Sequence, residues 1–144
     1  MIVDEETGTV VTSAIELVPL NLADLNEDEL LGLFPTPVQC AGALIMARKM
    51  IARAPAVLAE RSKAVKDAKR DLIIARGYAR QRAAGRDAET RRLVAESDAE
   101  VIQAWEAIDT AELALEYARE RRKSLSEDIE ILRSLNANFR GEHR

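Results

Sequence analysis

The 144-residue chain is 32% charged and 3% aromatic, carries a formal net charge of −4, and has one Cys and one His. That composition leaves little material for a broad layered core, and it excludes both a disulfide framework and an all-Cys/His zinc site. The opening "MIVDEETG" is acidic with no apolar run behind it, and the longest apolar stretch, "CAGALIMA" at Cys40 to Ala47, is far short of a bilayer span. The expectation is a soluble, cytoplasmic protein in a reducing compartment, with no membrane contact, no cofactor and no metal.

Taken in chain order, residues 1–35 form an acidic arm: residues 1–44 hold eight acids and no base. The first 25 residues mix β-branched side chains with Pro19 and lack a 3.6 period, which predicts an extended segment with a short strand near Val10 to Val18. "NEDELLGLF" offers Asn26 as an N-cap with Glu29 three residues on, predicting a short helix at 26–34 ended by Pro35.

"TPVQ", Thr36 to Gln39, supplies a Thr cap, a proline at the first helical position and a glutamine placed to bond back, so a long helix is expected over 36–84. Its apolar residues recur every seven: Leu44, Ile51, Leu58, Val65, Leu72, Ala79. Three residues after each come Ala47, Ala54, Arg61, Ala68, Ala75 and Arg82. A second helix over 87–139, capped by Asp87, repeats the design with Val94, Val101, Ile108, Leu115, Arg122 and Ile129, then Ala104, Ala111, Ala118, Leu125, Leu132 and Phe139. Pro55 should kink the first helix or divide it, and the unbroken heptad phase favours a kink.

With a turn near Gly85, the fold class expected is all-α: a long antiparallel helical hairpin over 36–140, a coiled coil with an alanine-rich seam, oligomerising into a helical bundle. Small seam residues let helices approach to about 8 Å. Pairing of residues whose numbers sum to about 171 would set Arg61 against Glu106, Asp109 and Glu112.

The tip, "RQRAAGRDAETRR", gathers positive charge in an acidic chain: residues 45–92 hold fourteen bases against five acids, residues 93–144 seven against twelve. Lys63, Lys66, Lys69, Arg70, Arg76 and Arg80 fall within about 140° of the helical wheel and form a stripe on the order of 25 Å long. Such a row suits several phosphates of a nucleic-acid backbone, with Arg82, Arg86, Arg91 and Arg92 adding contacts that read no sequence. The plainer readings are a solvated turn, or a stripe covered by the acidic arm or by a neighbour's acidic helix. Tyr78 is the one aromatic nearby, so base stacking has little support.

Apolar residues off the seam, Ile73, Ile102, Trp105 and Leu113 above all, are more than a two-helix hairpin buries by itself, which predicts a homo-oligomer interface. The competing account folds the N-terminal arm back over them. No phosphate-cradling glycine loop, nucleophile elbow or Glu-x-x-His pattern is present, so no enzyme is expected. His143 belongs to the C-terminal tail, Cys40 reads as a small buried thiol, and Glu96, Asp98 and Glu100 as a solvated helix face.

The C-terminal sixty residues resemble a family of small helical proteins encoded by tailed bacteriophages, many infecting actinobacteria. The resemblance rests on the basic segment Arg80 to Arg92, the acidic Asp98 to Glu100, "EYARERRKSL" at Glu116 to Leu125 and "LRSLNANFR" at Leu132 to Arg140. It implies an early phage protein that accompanies recombination and replication functions, of a family without an established activity. The expected function is a non-enzymatic accessory with a sequence-independent nucleic-acid role in recombination or replication. The alternatives are an adaptor or inhibitor directed at a host protein, and a virion or scaffold component.

Overall fold

A computed structural model describes residues 2–3, 10–11 and 16–142. The described chain is helical apart from a two-residue antiparallel ladder pairing β1 (Ile2–Val3) with β2 (Val10–Val11), Ile2 opposite Val11. Of the strand expected near Val10 to Val18, residues 12–15 lie outside the described residues and 16–18 are not strand. His143 also lies outside them. Contacts divide the chain into two compact units, Met1–Val57 with Glu120–Arg144, and Leu58–Arg119.

In the first unit the helix starts follow their caps. Asn26 Oδ1 accepts the Glu29 N–H at 2.9 Å and opens α1 (Glu27–Leu33). Thr36 Oγ1 accepts the Gln39 N–H at 3.3 Å and opens α2 (Pro37–Ile51). Both bonds satisfy N–H groups that a helix's first turn otherwise leaves unpaired. α2 presents Cys40, Leu44 and Ala47 to Leu132, Leu135 and Phe139 of α5 (Ala99–Glu142), with Leu22 completing the cluster.

The segment before α1 is pinned rather than free. Leu17 and Leu22 are 1% exposed, and the buried Asp128 carboxylate accepts the Leu20 N–H at 2.7 Å and the Leu22 N–H at 2.8 Å. Arg121 donates to the Leu17 carbonyl at 2.8 Å and pairs with Glu16 at 3.3 Å. Asn21 adopts φ 56°, a left-handed conformation that asparagine tolerates, which lets the chain turn between those two anchored positions.

The helix does not run kinked but continuous through Pro55. α2 stops at Ile51 and α3 (Ala54–Arg82) begins two residues later. Pro55 has no N–H to give the Ile51 carbonyl, and the chain tightens there through an Arg53 N–H bond to the Met50 carbonyl at 3.1 Å. Ala52 keeps right-handed helical angles, so the break is a short interruption.

In the second unit the alanine positions do form the packed contact. Ala68, Leu72 and Ala79 of α3 cluster with Val101 and Ile108 of α5 and with Ala95 of α4 (Ala88–Glu96), flanked by Ala75, Ala104 and Ala111. The expected single helix over 87–139 is interrupted at 97–98. Ser97 Oγ donates to the Val94 carbonyl at 2.7 Å, ending α4, and Asp98 caps α5 by accepting the Glu100 N–H at 2.9 Å. Because α4 has its own phase, Ala95 is buried while the predicted seam residue Val94 is exposed.

The register also differs from the expected one. Lys69 meets Glu112, and Arg82 meets Asp98 and Glu100, so partners' numbers sum to about 181 rather than 171. Arg61 pairs with its neighbour Glu60 at 3.8 Å instead of reaching Glu106, Asp109 or Glu112. An alanine seam fits several registers almost equally, and the nine-residue α4 takes up chain that a tight turn would have left to the pair.

Gly85 lies in the linker before Asp87, whose carboxylate accepts the Thr90 N–H at 2.7 Å to start α4. A Cβ on Gly85 would stand 3.1 Å from side-chain atoms of Thr90 and Arg91 and 3.3 Å from the Arg91 nitrogen. A close approach, not a left-handed angle, calls for glycine here.

Candidate interaction surface

The bases expected to bind phosphate are partly occupied. Arg76 Nε lies 2.9 Å from Glu96, Arg82 lies 3.0 Å from Asp98 and 3.1 Å from Glu100, and Lys69 and Arg70 each have a carboxylate at 3.8 Å, Glu112 and Asp67. Glu96, Asp98 and Glu100 are therefore counter-ions for α3, not simply a solvated helix face. The pattern that could have revealed this is the run of acids beginning at the Asp98 cap, which starts a new helix alongside the end of α3.

The Arg82 hydrogen bond, helped by the Glu100 N–H, holds the Asp98 carboxyl below the usual carboxylate range and raises the Arg82 guanidinium in turn. Hydrogen bonds from Thr90 likewise lower Asp87. Among the described residues, Lys63, Lys66, Arg80, Arg86, Arg91 and Arg92 make no ion pair.

The four residues expected to join protomers are exposed: Ile73 69%, Ile102 47%, Trp105 43% and Leu113 72%. Burial of the seam on α3 and α5 turns other stripes outward. Spacings of three and four place Lys66, Lys69, Ile73, Arg76 and Arg80 on one stripe of α3, and Ile102, Trp105, Asp109, Glu112 and Glu116 on one stripe of α5, with Leu113 beside it. Two cross-helix contacts put both stripes on the same side of the pair. Arg76 lies over the Trp105 ring, 5.2 Å from its centroid, and Lys69 meets Glu112 at 3.8 Å. This face is apolar at intervals, basic along α3 and acidic along α5. The described part of the N-terminal segment is held by Arg121 and Asp128.

Elsewhere the polar groups are consumed by structure. Burial pushes the Cys40 thiol up, and its Sγ donates to the Leu132 carbonyl at 3.5 Å, as suits a packed thiol rather than a nucleophile. In the first unit an apolar cavity of about 330 Å³ is lined by Val18, Leu20, Phe34, Met46, Met50 and Leu125, among others. Among the described residues no cluster of His, Cys, Asp or Glu is placed to hold a metal ion, and no single helix is long and apolar enough to cross a membrane. Comparison with protein families, curated proteins and solved structures finds no match.

Proposed function

We propose that the chain is a non-enzymatic helical docking protein whose α3 and α5 form an antiparallel, alanine-seamed hairpin that binds protein through its apolar face. The observation that carries this reading is the exposure of Ile73, Ile102, Trp105 and Leu113 on one side of the pair. Apolar groups gathered on one face and rimmed by charge mark protein interaction sites. The non-enzymatic part draws support from the buried reactive groups: the Asp128 carboxylate is taken by two backbone N–H groups and the Cys40 thiol by a backbone carbonyl. The resemblance to small phage proteins supports an accessory, adaptor or scaffold role in the cytoplasm of an infected cell.

The test is a photo-crosslinking amino acid placed at position 102 or 113 in the producing cell. A protein adduct is expected. Absence of a protein adduct at both positions would remove the docking reading.

A nucleic-acid role is the second reading, favoured by the six stripe and tip bases that make no ion pair. It is weakened by Asp109, Glu112 and Glu116, which share the face of Lys66 and Arg80 and would repel phosphates. Anisotropy of labelled single- and double-stranded DNA at low and moderate salt decides it. Salt-sensitive binding lost in an Arg86→Glu, Arg91→Glu, Arg92→Glu variant supports it, and no binding at low salt ends it.

A further inference from the structure

Resting on the docking reading, we infer that the partner on this face is a second copy of the chain, related by a two-fold axis parallel to the helices, so that α3 of each copy lies on α5 of the other. The face has a basic edge, Lys66, Lys69, Arg76 and Arg80 on α3, and an acidic edge, Asp109, Glu112 and Glu116 on α5. Two copies of such a face can meet about two kinds of two-fold axis lying in the interface.

An axis across the helices would lay α3 on α3 and α5 on α5, base on base and acid on acid. An axis along them lays each basic edge on the partner's acidic edge and sets Ile73 one turn from the partner's Trp105. Like-charge juxtaposition is costly and excludes wrong arrangements, so electrostatics selects the second.

The cross-helix contacts fix the levels. Lys69 and Glu112 meet within one copy, Lys66 is three residues before Lys69, and Glu116 is four residues after Glu112. Lys66 and Glu116 therefore stand at the same height, one turn beyond that pair, on the two edges that the axis exchanges. Lys66 makes no ion pair among the described residues, and Glu116 has only the exposed Arg119 of its own helix at 3.7 Å. Each is available to a partner. The interface contains the contact of Lys66 with Glu116 twice, as an isologous dimer requires.

In Lys66→Glu or Glu116→Lys homodimers both copies of the contact become like-charged, whereas a mixture of the two variants restores two opposite-charge contacts. Sedimentation of the full chain between about 1 μM and about 100 μM, spanning the weak end of specific interfaces, should show wild type at twice the 15.9 kDa chain mass. Each single variant, checked for helix content by circular dichroism, should dissociate roughly tenfold more readily, and the equimolar mixture should recover. A wild type that stays monomeric overturns the inference. So does a pair of variants that dimerises like wild type, or a mixture that fails to recover. A monomeric wild type that still gives a crosslinked adduct of another protein's mass overturns self-association alone and leaves the docking reading standing.

Discussion

The Asp128 carboxylate accepts the Leu22 N–H at 2.8 Å from 106 residues away, at a site where Asp128 is 1% exposed. With the Leu20 bond to its other oxygen, one side chain of α5 satisfies two backbone donors that the N-terminal segment cannot pair within itself. Asp128→Ala strands those donors and should lower unfolding free energy by about 2–4 kcal/mol in urea denaturation. Asp128→Asn keeps one acceptor and should cost less. Equal losses in the two variants would mean that shape at the site matters more than the paired oxygens.

Glycines separate into two kinds. Gly77 is exposed in α3 with nothing near a built Cβ, so Gly77→Ala should raise stability by about 0.5–1 kcal/mol through helix propensity. Gly85→Val pushes a branched side chain against Thr90 and the Arg91 nitrogen and should cost about 1–2 kcal/mol, with faster amide exchange in α4. Thermal denaturation and exchange mass spectrometry read both, and opposite signs for the pair are the expectation.

Asp98 gives the pH dependence. Its folded carboxyl titrates below the unfolded value, so its contribution is fully present above the unfolded pKa of about 4 and is lost as pH falls through the folded value. Asp87 acts in the same window. Stability of Asp98→Asn should therefore lie below wild type at pH 7 and converge on it under strong acid. A constant gap across the acid limb would show that Asp98 acts through its shape and cap geometry, not through its charge.

What the sequence made legible was local. Asn26, Thr36 and Asp87 each cap a helix by accepting an N–H three residues on, a signal written within four residues. Pro55 and the alanine spacing are equally local, and most of the seam residues on α3 and α5 are buried.

What stayed hidden depends on which segments meet. Register could not be read because Ala68, Ala75, Ala104 and Ala111 offer nearly the same surface at every heptad. The Ser97–Asp98 interruption was masked by an unbroken apolar period on either side of it. Asp128 does not announce its partner, since Leu22 becomes its neighbour only after the helices fold back. For the same reason the bases of the stripe and tip looked free in sequence, while four of them face carboxylates in the structure.

The chain's one tryptophan stands in the middle of the proposed interface, so its emission reports on that face alone. Acrylamide quenching of Trp105 measured over a dilution series of the purified chain should show protection and blue-shifted emission at high concentration, lost on dilution and moved to roughly tenfold higher concentration in Lys66→Glu. Trp105 that is equally accessible to quencher at every concentration would contradict a face closed by a second copy.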